Sequence, residues 1–223
     1  MRQPVQRSSS DTRGRGIKNA DFFMAFNVML FIFMCIFVYY DRFISYRGIE
    51  NILEFFLYAV LITASIITAW FALRQYPFRS WLFVLIEVGI LMHFAGGLIQ
   101  LHGSRLYDSV FFGLRYDKYV HFTNSFFGTL IVKDFFDRRK MKLYDFESVT
   151  VVLIVLGFGA VIEIAEFFVT KTVAHNGVGD YDNNMVDLIS NLAGGLAYML
   201  IARMRTVLAG SPEGVDACVG EKK

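Results

Sequence analysis

The chain has 223 residues, of which 55% are hydrophobic, and its formal net charge is only +2. Its mean hydropathy of +0.46 is too high for a water-soluble domain of ordinary composition. Lysines and arginines fall at the ends of apolar segments rather than in one basic patch, which argues against nucleic acid as a partner. The composition therefore indicates a membrane protein that is surrounded by lipids.

Six apolar segments approach the length of about 20 residues that a helix needs to cross a bilayer. We therefore predict an all-α polytopic membrane protein with about six transmembrane helices in residues 21–206. Residues 1–20 and 207–223 are polar, and we predict that both tails are disordered. The predicted spans are Phe22–Tyr40, Ile52–Phe71, Trp81–Leu101, Tyr116–Phe136, Val149–Val169 and Met185–Met204.

Basic residues are concentrated in alternate connections between the predicted spans. Most lie in the N-terminal tail, in the loop with Arg74 and Arg79, in the sequence "DRRKMK" and in the C-terminal segment. Connections rich in lysine and arginine stay on the cytoplasmic side of a membrane. We therefore predict that both termini are cytoplasmic.

Polar side chains lie at matching depth on the last three predicted spans. A rise of about 1.5 Å per residue puts them within about 10 Å of the outer boundary. Their spacings of three, four or seven residues give those on one helix a common face. They are Asp117, His121 and Asn124 on the fourth span, Glu163 and Glu166 on the fifth, and Asp187 and Asn191 on the sixth.

A charged side chain that faces lipid at this depth costs a few kcal/mol, so we expect these groups to converge on an outward-opening cavity. Packed carboxylates need positive charge nearby. It could come from a divalent metal, a shared proton, Lys118 or Arg115, or the cationic part of a ligand. One imidazole with several carboxylates would suit Mn, Fe, Zn, Mg or Ca. The candidate metal ligands are Asp117, His121, Glu163, Glu166 and Asp187.

Structural explanations compete for several of these residues. Asp117 and Asp187 lie in the first turns of their predicted helices, where helix capping would also account for them. His93 could form a further wall of the cavity or serve as a structural histidine. Glu163 lies too deep in its span to reach water easily, which favours a role in function or in a buried network.

Three sequences in the second half of the chain resemble the YjdF-type bacterial inner-membrane proteins, which are similar in turn to the VanZ-like family. They are "DKYVHF" (Asp117–Phe122), "EIAEF" (Glu163–Phe167) and "YDNNMVDLISNLAGG" (Tyr181–Gly195). The resemblance implies a multi-pass protein of the inner (plasma) membrane. It also implies a role in the cell envelope, because VanZ-like proteins are associated with glycopeptide resistance. Asn183-Asn184 stands where the family pattern usually has Asp-Thr, and Asp182 is a candidate replacement for the lost acid.

Three functions are compatible with the sequence. The first is an enzyme that acts on a lipid head group or a lipid-linked envelope precursor, with Glu163 or Glu166 as general base and His121 as acid or metal ligand. The second is a proton-coupled transporter or flippase, and the third is a non-catalytic scaffold in the membrane. Further candidates for substrate binding or the polar network are Asn124, Asn191, Asp182, His93 and Lys118.

Overall fold

The computed structural model describes residues 16–76, 79–141, 146–172 and 179–208. A π-helical turn (Cys35–Tyr39) joins the first two helices, and short 3-10 turns occur at Ile49–Asn51 and Leu106–Asp108. The tails predicted to be disordered lie mostly outside the described residues. In chain order the helices are α1 (Asn19–Met34), α2 (Tyr40–Arg47), α3 (Ile52–Leu73), α4 (Ser80–Leu98), α5 (Tyr116–Arg139), α6 (Glu147–Thr172) and α7 (Tyr181–Leu208).

Five helical segments of the described chain are long and apolar enough to cross a membrane. Helix α5 has 24 residues and covers the predicted fourth span, but it is too polar to belong to this set. The predicted all-α membrane protein is therefore confirmed, whereas the sixth crossing and the cytoplasmic termini stay predictions. The five segments are Asn19–Ser45, Ile49–Phe71, Ser80–Gly97, Glu147–Lys171 and Tyr181–Leu208.

The described residues between Gly16 and Phe83 form one compact unit, which includes α1, α2 and α3. Asp21 at the start of α1 forms an ion pair with Arg74 just after α3, with 2.7 Å between Oδ1 and Nε. The indole nitrogen of Trp70 donates a second hydrogen bond to Asp21, at 2.9 Å. Gly48 ends α2 with a φ of 81°, a conformation that favours glycine. The two long apolar segments of this unit are thus joined at one end by a charged contact and at the other by a tight turn.

Two β-hairpins connect α4 to α5 in the second unit, Val84–Lys223. Strand β1 (Gln100–Leu101) pairs with β2 (Ser104–Arg105), and β3 (Val110–Phe111) pairs with β4 (Leu114–Arg115), both antiparallel. The predicted third span, Trp81–Leu101, is therefore too long. Helix α4 ends at Leu98. The apolar side chain of Leu101 extends the hydrophobic run of the sequence, but Leu101 pairs with Ser104 in the first hairpin.

Helices α5 and α7 lie close together because α7 has a glycine at their contact. A Cβ atom on Gly194 would overlap the backbone carbonyl oxygen of Phe122. Nearby, the Ser125 hydroxyl donates a hydrogen bond of 2.5 Å to the carbonyl oxygen of Asn191. Small residues and hydrogen bonds of this kind hold helices together where lipid removes the hydrophobic advantage of burial. Helix α6 completes the core with three buried side chains, Val151, Val152 and Val155.

Replacing Gly194 with alanine should lower the stability of the folded protein by about 1–3 kcal/mol, because the new methyl group needs α5 and α7 to move apart. Thermal unfolding in detergent would measure the loss. Gly157→Ala is the matched control, since no heavy atom lies within 4 Å of a Cβ built there. Alanine is favoured over glycine in a helix by about 1 kcal/mol, so the control should be as stable as the parent or more so. Equal stability of the two variants would contradict the close approach at Gly194.

Candidate functional site

Lys118 is the centre of a buried charge network between α5 and α7. Its side chain lies in the first turn of α5, and the residue is only 5% exposed. The ammonium donates hydrogen bonds to Asp187 Oδ1 at 2.8 Å and to Asp117 Oδ2 at 3.1 Å. It also donates to Asn183 Oδ1 at 2.7 Å. Because an ammonium has three N–H groups, these contacts account for its full donor capacity.

Asn183 joins this network to the connection that precedes α5. Its amide nitrogen donates to Asp187 Oδ2 at 2.8 Å, and its amide oxygen accepts from Arg115 at 3.2 Å. Arg115 in turn donates to Asp108 Oδ1 at 2.7 Å. Partial burial raises the pKa of Asp108, but Arg105 and Arg115 outweigh burial and hold that pKa below its ordinary value. Asp108 is therefore ionised at neutral pH.

His121 lies one turn further along α5, between two carboxyl groups from the other helices. Its Nε2 is 3.4 Å from Asp187 Oδ1 on α7, and its Nδ1 is 3.7 Å from Glu163 Oε1 on α6. One ligand atom each from His121, Glu163 and Asp187 lies within 4.8 Å of the other two. Three helices thus bring one imidazole and two carboxyl groups together.

Glu163 is buried without hydrogen bonds to its carboxyl group. The residue is 3% exposed, and neither side-chain oxygen has a hydrogen-bond partner within the described residues. The amide of Asn184 on α7 donates to the Glu163 backbone carbonyl at 3.2 Å instead of to the carboxyl group. An unsatisfied buried carboxylate is costly in a low-dielectric environment. Such a group needs a proton, a cation or another ligand.

The charges near Glu163 do not cancel. Lys118 is the one buried lysine or arginine among the described residues, and it pairs with two of three buried carboxyl groups, Asp117 and Asp187 but not Glu163. The partly exposed Arg115 lies 4.0 Å from Asp117 and also pairs with Asp108. Glu166 is half-buried and adds a further negative charge in electrostatic range of Glu163. A protonated His121 would supply only one positive charge. This excess of acid is the main electrostatic property of the acidic cluster, by which we mean Asp117, His121, Glu163, Glu166 and Asp187. We call the three residues His121, Glu163 and Asp187 the acidic triad.

Three predicted candidates are exposed, although one of them, His93, lies within electrostatic range of His121. Asn124 is exposed and its amide oxygen occupies the space beside Gly89 of α4. His93 forms a hydrogen bond with the Tyr107 hydroxyl. Asp182 is exposed in the first turn of α7 and forms no hydrogen bond or ion pair with the described residues. Asn183 and not Asp182 lies beside Asp187, because Asn183 is one helical turn before Asp187 and Asp182 is not.

Sequence reasoning did not identify Asn183, Asn184, Ser125 or Asp108 as members of the network. Asn183 had a readable signal, since its spacing of four residues from Asp187 puts both on one helical face. The same spacing links Ser125 to His121. Asp108 had no such signal, because it lies in a connection whose path depends on the two hairpins. The sequence indicated Arg115 only as a possible source of positive charge near the carboxylates.

These observations define a helical membrane protein with a polar, acid-rich core in its second half. The chain belongs to the family described as "Predicted membrane protein (DUF2238)", whose model matches residues 21–206. This match confirms the membrane protein family that the YjdF-type resemblance indicated, while the relationship to VanZ-like proteins stays a prediction. No curated protein and no solved structure is significantly similar to the chain.

Replacing Lys118 with methionine should destabilise the protein by about 3–5 kcal/mol, because it leaves Asp187 buried without its cation. Lys171→Met is the control. Lys171 is exposed and its ammonium lies 5.2 Å from the ring centroid of Phe167, an interaction that contributes about 1 kcal/mol or less. Unfolding in detergent would compare the two, and adding Asp187→Asn to Lys118→Met should recover part of the loss. An unchanged stability for Lys118→Met would show that the network is not a stabilising ion cluster.

Proposed function

We propose that the protein is a membrane-embedded, metal-dependent enzyme of the bacterial inner membrane, with the acidic triad as its divalent metal site. Its proposed substrate is a lipid head group or a lipid-linked precursor of the cell envelope at the outer leaflet. The observation that supports this proposal most directly is the buried Glu163 carboxyl group, which faces His121 and has no hydrogen-bond partner in the described structure.

The donor set of the triad suits a divalent cation. One imidazole nitrogen and two carboxylate oxygens are ligands that Zn, Mn and Fe accept. Metal–ligand bonds of about 2 Å at a tetrahedral angle give ligand atoms about 3.4 Å apart. The two measured distances, 3.4 Å from Nε2 to Asp187 and 3.7 Å from Nδ1 to Glu163, involve different ring nitrogens. A metal would use only one of them, and with one ligand atom from each residue the three atoms lie within 4.8 Å of one another. Binding would therefore require the imidazole ring or a carboxyl group to rotate.

A divalent cation at this site would polarise a phosphoryl or carbonyl oxygen and lower the pKa of a bound water. Glu163 and Asp187 would then be metal ligands, together with one nitrogen of His121. Glu166 is less buried than Glu163 and lies one turn away on α6. We therefore assign Glu166 the role of general base, which must reach a water molecule or a hydroxyl group of the substrate.

The position of the triad along its helices supports a lipid head group as substrate. His121 and Asp187 lie in the second turns of α5 and α7, and Glu163 lies in the last three turns of α6. In antiparallel neighbours of this order, those segments meet at one end of the helices. If these helices cross the bilayer, that end would lie at the depth at which the polar part of a lipid meets the acyl chains.

A proton-coupled transporter is the second candidate, and the orientation of His121 favours it. Its two ring nitrogens face different carboxyl groups. A histidine held in this way could pass a proton from one carboxyl group to the other. The transport candidate needs no metal, so metal content separates it from the enzyme.

Glu163→Gln should abolish retention of a divalent metal and the associated activity while the protein still inserts and folds. The amide has the same size as the acid but lacks the charge that a cation requires. Metal analysis of the purified protein would be combined with an antibiotic-susceptibility or envelope-stress assay of cells. Glu147→Gln is a suitable control, since Glu147 lies at the other end of α6 and pairs with Lys133 at 2.8 Å.

Two results would contradict the proposed enzymatic function. A parent protein without metal, combined with loss of function in Glu163→Gln, would favour the proton-carrying candidate. A fully functional Glu163→Gln protein with unchanged metal content would leave the polar network as a scaffold, because a neutral amide costs less to bury than an acid.

The proposed orientation puts the hairpins outside the cytoplasm and the connection after α5 inside it. A cysteine introduced at His102, in a protein without Cys35 and Cys218, should react with an impermeant thiol reagent in intact cells. A cysteine at Lys140, which is exposed at the end of α5, should react only after the membrane is opened. The opposite pattern would put the triad on the cytoplasmic side and exclude an outer-leaflet substrate.

A further inference from the structure

The second hairpin exposes apolar side chains, although the hairpin fold does not require them and contact with water does not favour them. Phe112 at its tip is 100% exposed, Val110 is 63% exposed and Leu114 is 50% exposed. The first hairpin has the same two-residue loop, but His102 and Ser104 take the places of Phe112 and Leu114. The exposed apolar tip is therefore a property of the second hairpin and is not a requirement of the hairpin fold.

The backbone at Phe112 is unfavourable for phenylalanine. Phe112 has a φ of 51° and Gly113 has a φ of 83°, which matches a type I′ turn. The first position of this turn favours Asn, Asp or Gly, and a bulky residue with positive φ is rare. His102 occupies the same position in the first hairpin with the same φ of 51°, and histidine tolerates this region better. Phe112 is thus costly for the turn and has no side-chain burial to offset that cost.

The hairpins continue directly from a helix that is apolar and exposed. Within the second unit, α4 exposes Val84, Val88 and Leu91, and Ile99 at the base of the first hairpin is 51% exposed. Helix α4 is one of the candidate membrane spans. A lipid-facing surface therefore reaches the beginning of the connection that contains Phe112. Aromatic side chains at such a boundary favour the interfacial layer of a bilayer.

We propose that the hairpin Val110–Arg115 is a membrane-interface anchor whose tip, Phe112, inserts among the lipids next to the acidic cluster. The anchor is bound to the site by two contacts. The Tyr119 hydroxyl donates to the Phe111 carbonyl oxygen at 2.6 Å, and Arg115 donates to Asn183 at 3.2 Å. Insertion of the tip would hold the start of α5, with Lys118 and His121, at the level of the lipid head groups. The anchor does not depend on a bound metal and can be tested separately from the proposed function.

The test uses a polarity-sensitive bimane label on single cysteines in a Cys35→Ser, Cys218→Ser protein. Phe112→Cys and the control His102→Cys are labelled and reconstituted into phosphatidylcholine–phosphatidylglycerol vesicles, with or without bromine on the acyl chains. The label at position 112 should emit at shorter wavelength than the label at position 102 and lose fluorescence in brominated vesicles. Aqueous iodide should quench only the label at position 102.

Three outcomes would overturn the anchor. Iodide quenching at position 112 without bromine quenching would put the hairpin tip in water. Protection from both quenchers would mean that protein covers the tip, and crosslinking between Phe112→Cys chains would identify a second copy. Equal bromine quenching at positions 102 and 112 would show that the apolar tip has no special contact with lipid.

A second pair of variants tests the role of the phenylalanine ring without destabilising the turn. Phe112→Asn creates the preferred Asn-Gly turn, so thermal stability in detergent should be unchanged or higher. A bimane label on Val110→Cys should nevertheless lose most of its bromine quenching in the Phe112→Asn background. His102→Asn should leave that quenching unchanged. Undiminished quenching in Phe112→Asn would show that Phe112 does not anchor the hairpin.

Discussion

The ion pair between Lys118 and Asp187 is the contact on which the rest of the polar core depends. Its atoms are 2.8 Å apart and both residues are buried, so each charge relies on the other to offset the loss of water. Asp187 also lies next to His121, and Lys118 also binds Asp117 and Asn183. Moving either charge would therefore disturb His121, the side chain that faces Glu163.

Much of the fold could be predicted from the sequence because lipid imposes a length and a composition on a spanning helix. The stretches predicted to be helical are helical, apart from the end of the third one, where Gln100–Leu101 forms a strand. The hairpins could not be predicted from apolar content. Strands of two residues are too short to show alternation, and the turn at Phe112 does not have a preferred turn residue.

The convergence on Glu163 could be predicted in part, because matching depth and helical spacing are both visible in the sequence. Depth alone could not decide which side of each helix faces the neighbour. Asn124 illustrates the limit: it lies about 100° around α5 from the buried Ser125, and that rotation turns it toward Gly89. The spacing of polar residues along a helix predicts only approximately which of them share a face. The close packing at Gly194 determines how α5 is rotated relative to α7.

Asn183 joins the network to two cations and to Asp187 without adding charge to it. Its amide oxygen accepts from Lys118 and Arg115, and its amide nitrogen donates to Asp187. An aspartate could accept from the two cations but would repel Asp187. The asparagine therefore binds both cations without adding a negative charge to a cluster that already has an excess of acid.

The contacts that hold α5 and α7 together continue along the helices beyond the acidic triad. Ser125 binds the Asn191 carbonyl, Gly194 admits the Phe122 backbone, and Phe126 packs edge-on against Tyr198 with ring centroids 5.4 Å apart. None of these contacts needs a charge at Glu163. The protein can therefore keep an unsatisfied carboxyl group in its core, because helix association is secured by neighbouring neutral contacts. A buried acid that contributes little to helix packing can bind a ligand instead. Among the described residues, Glu163 best meets that condition.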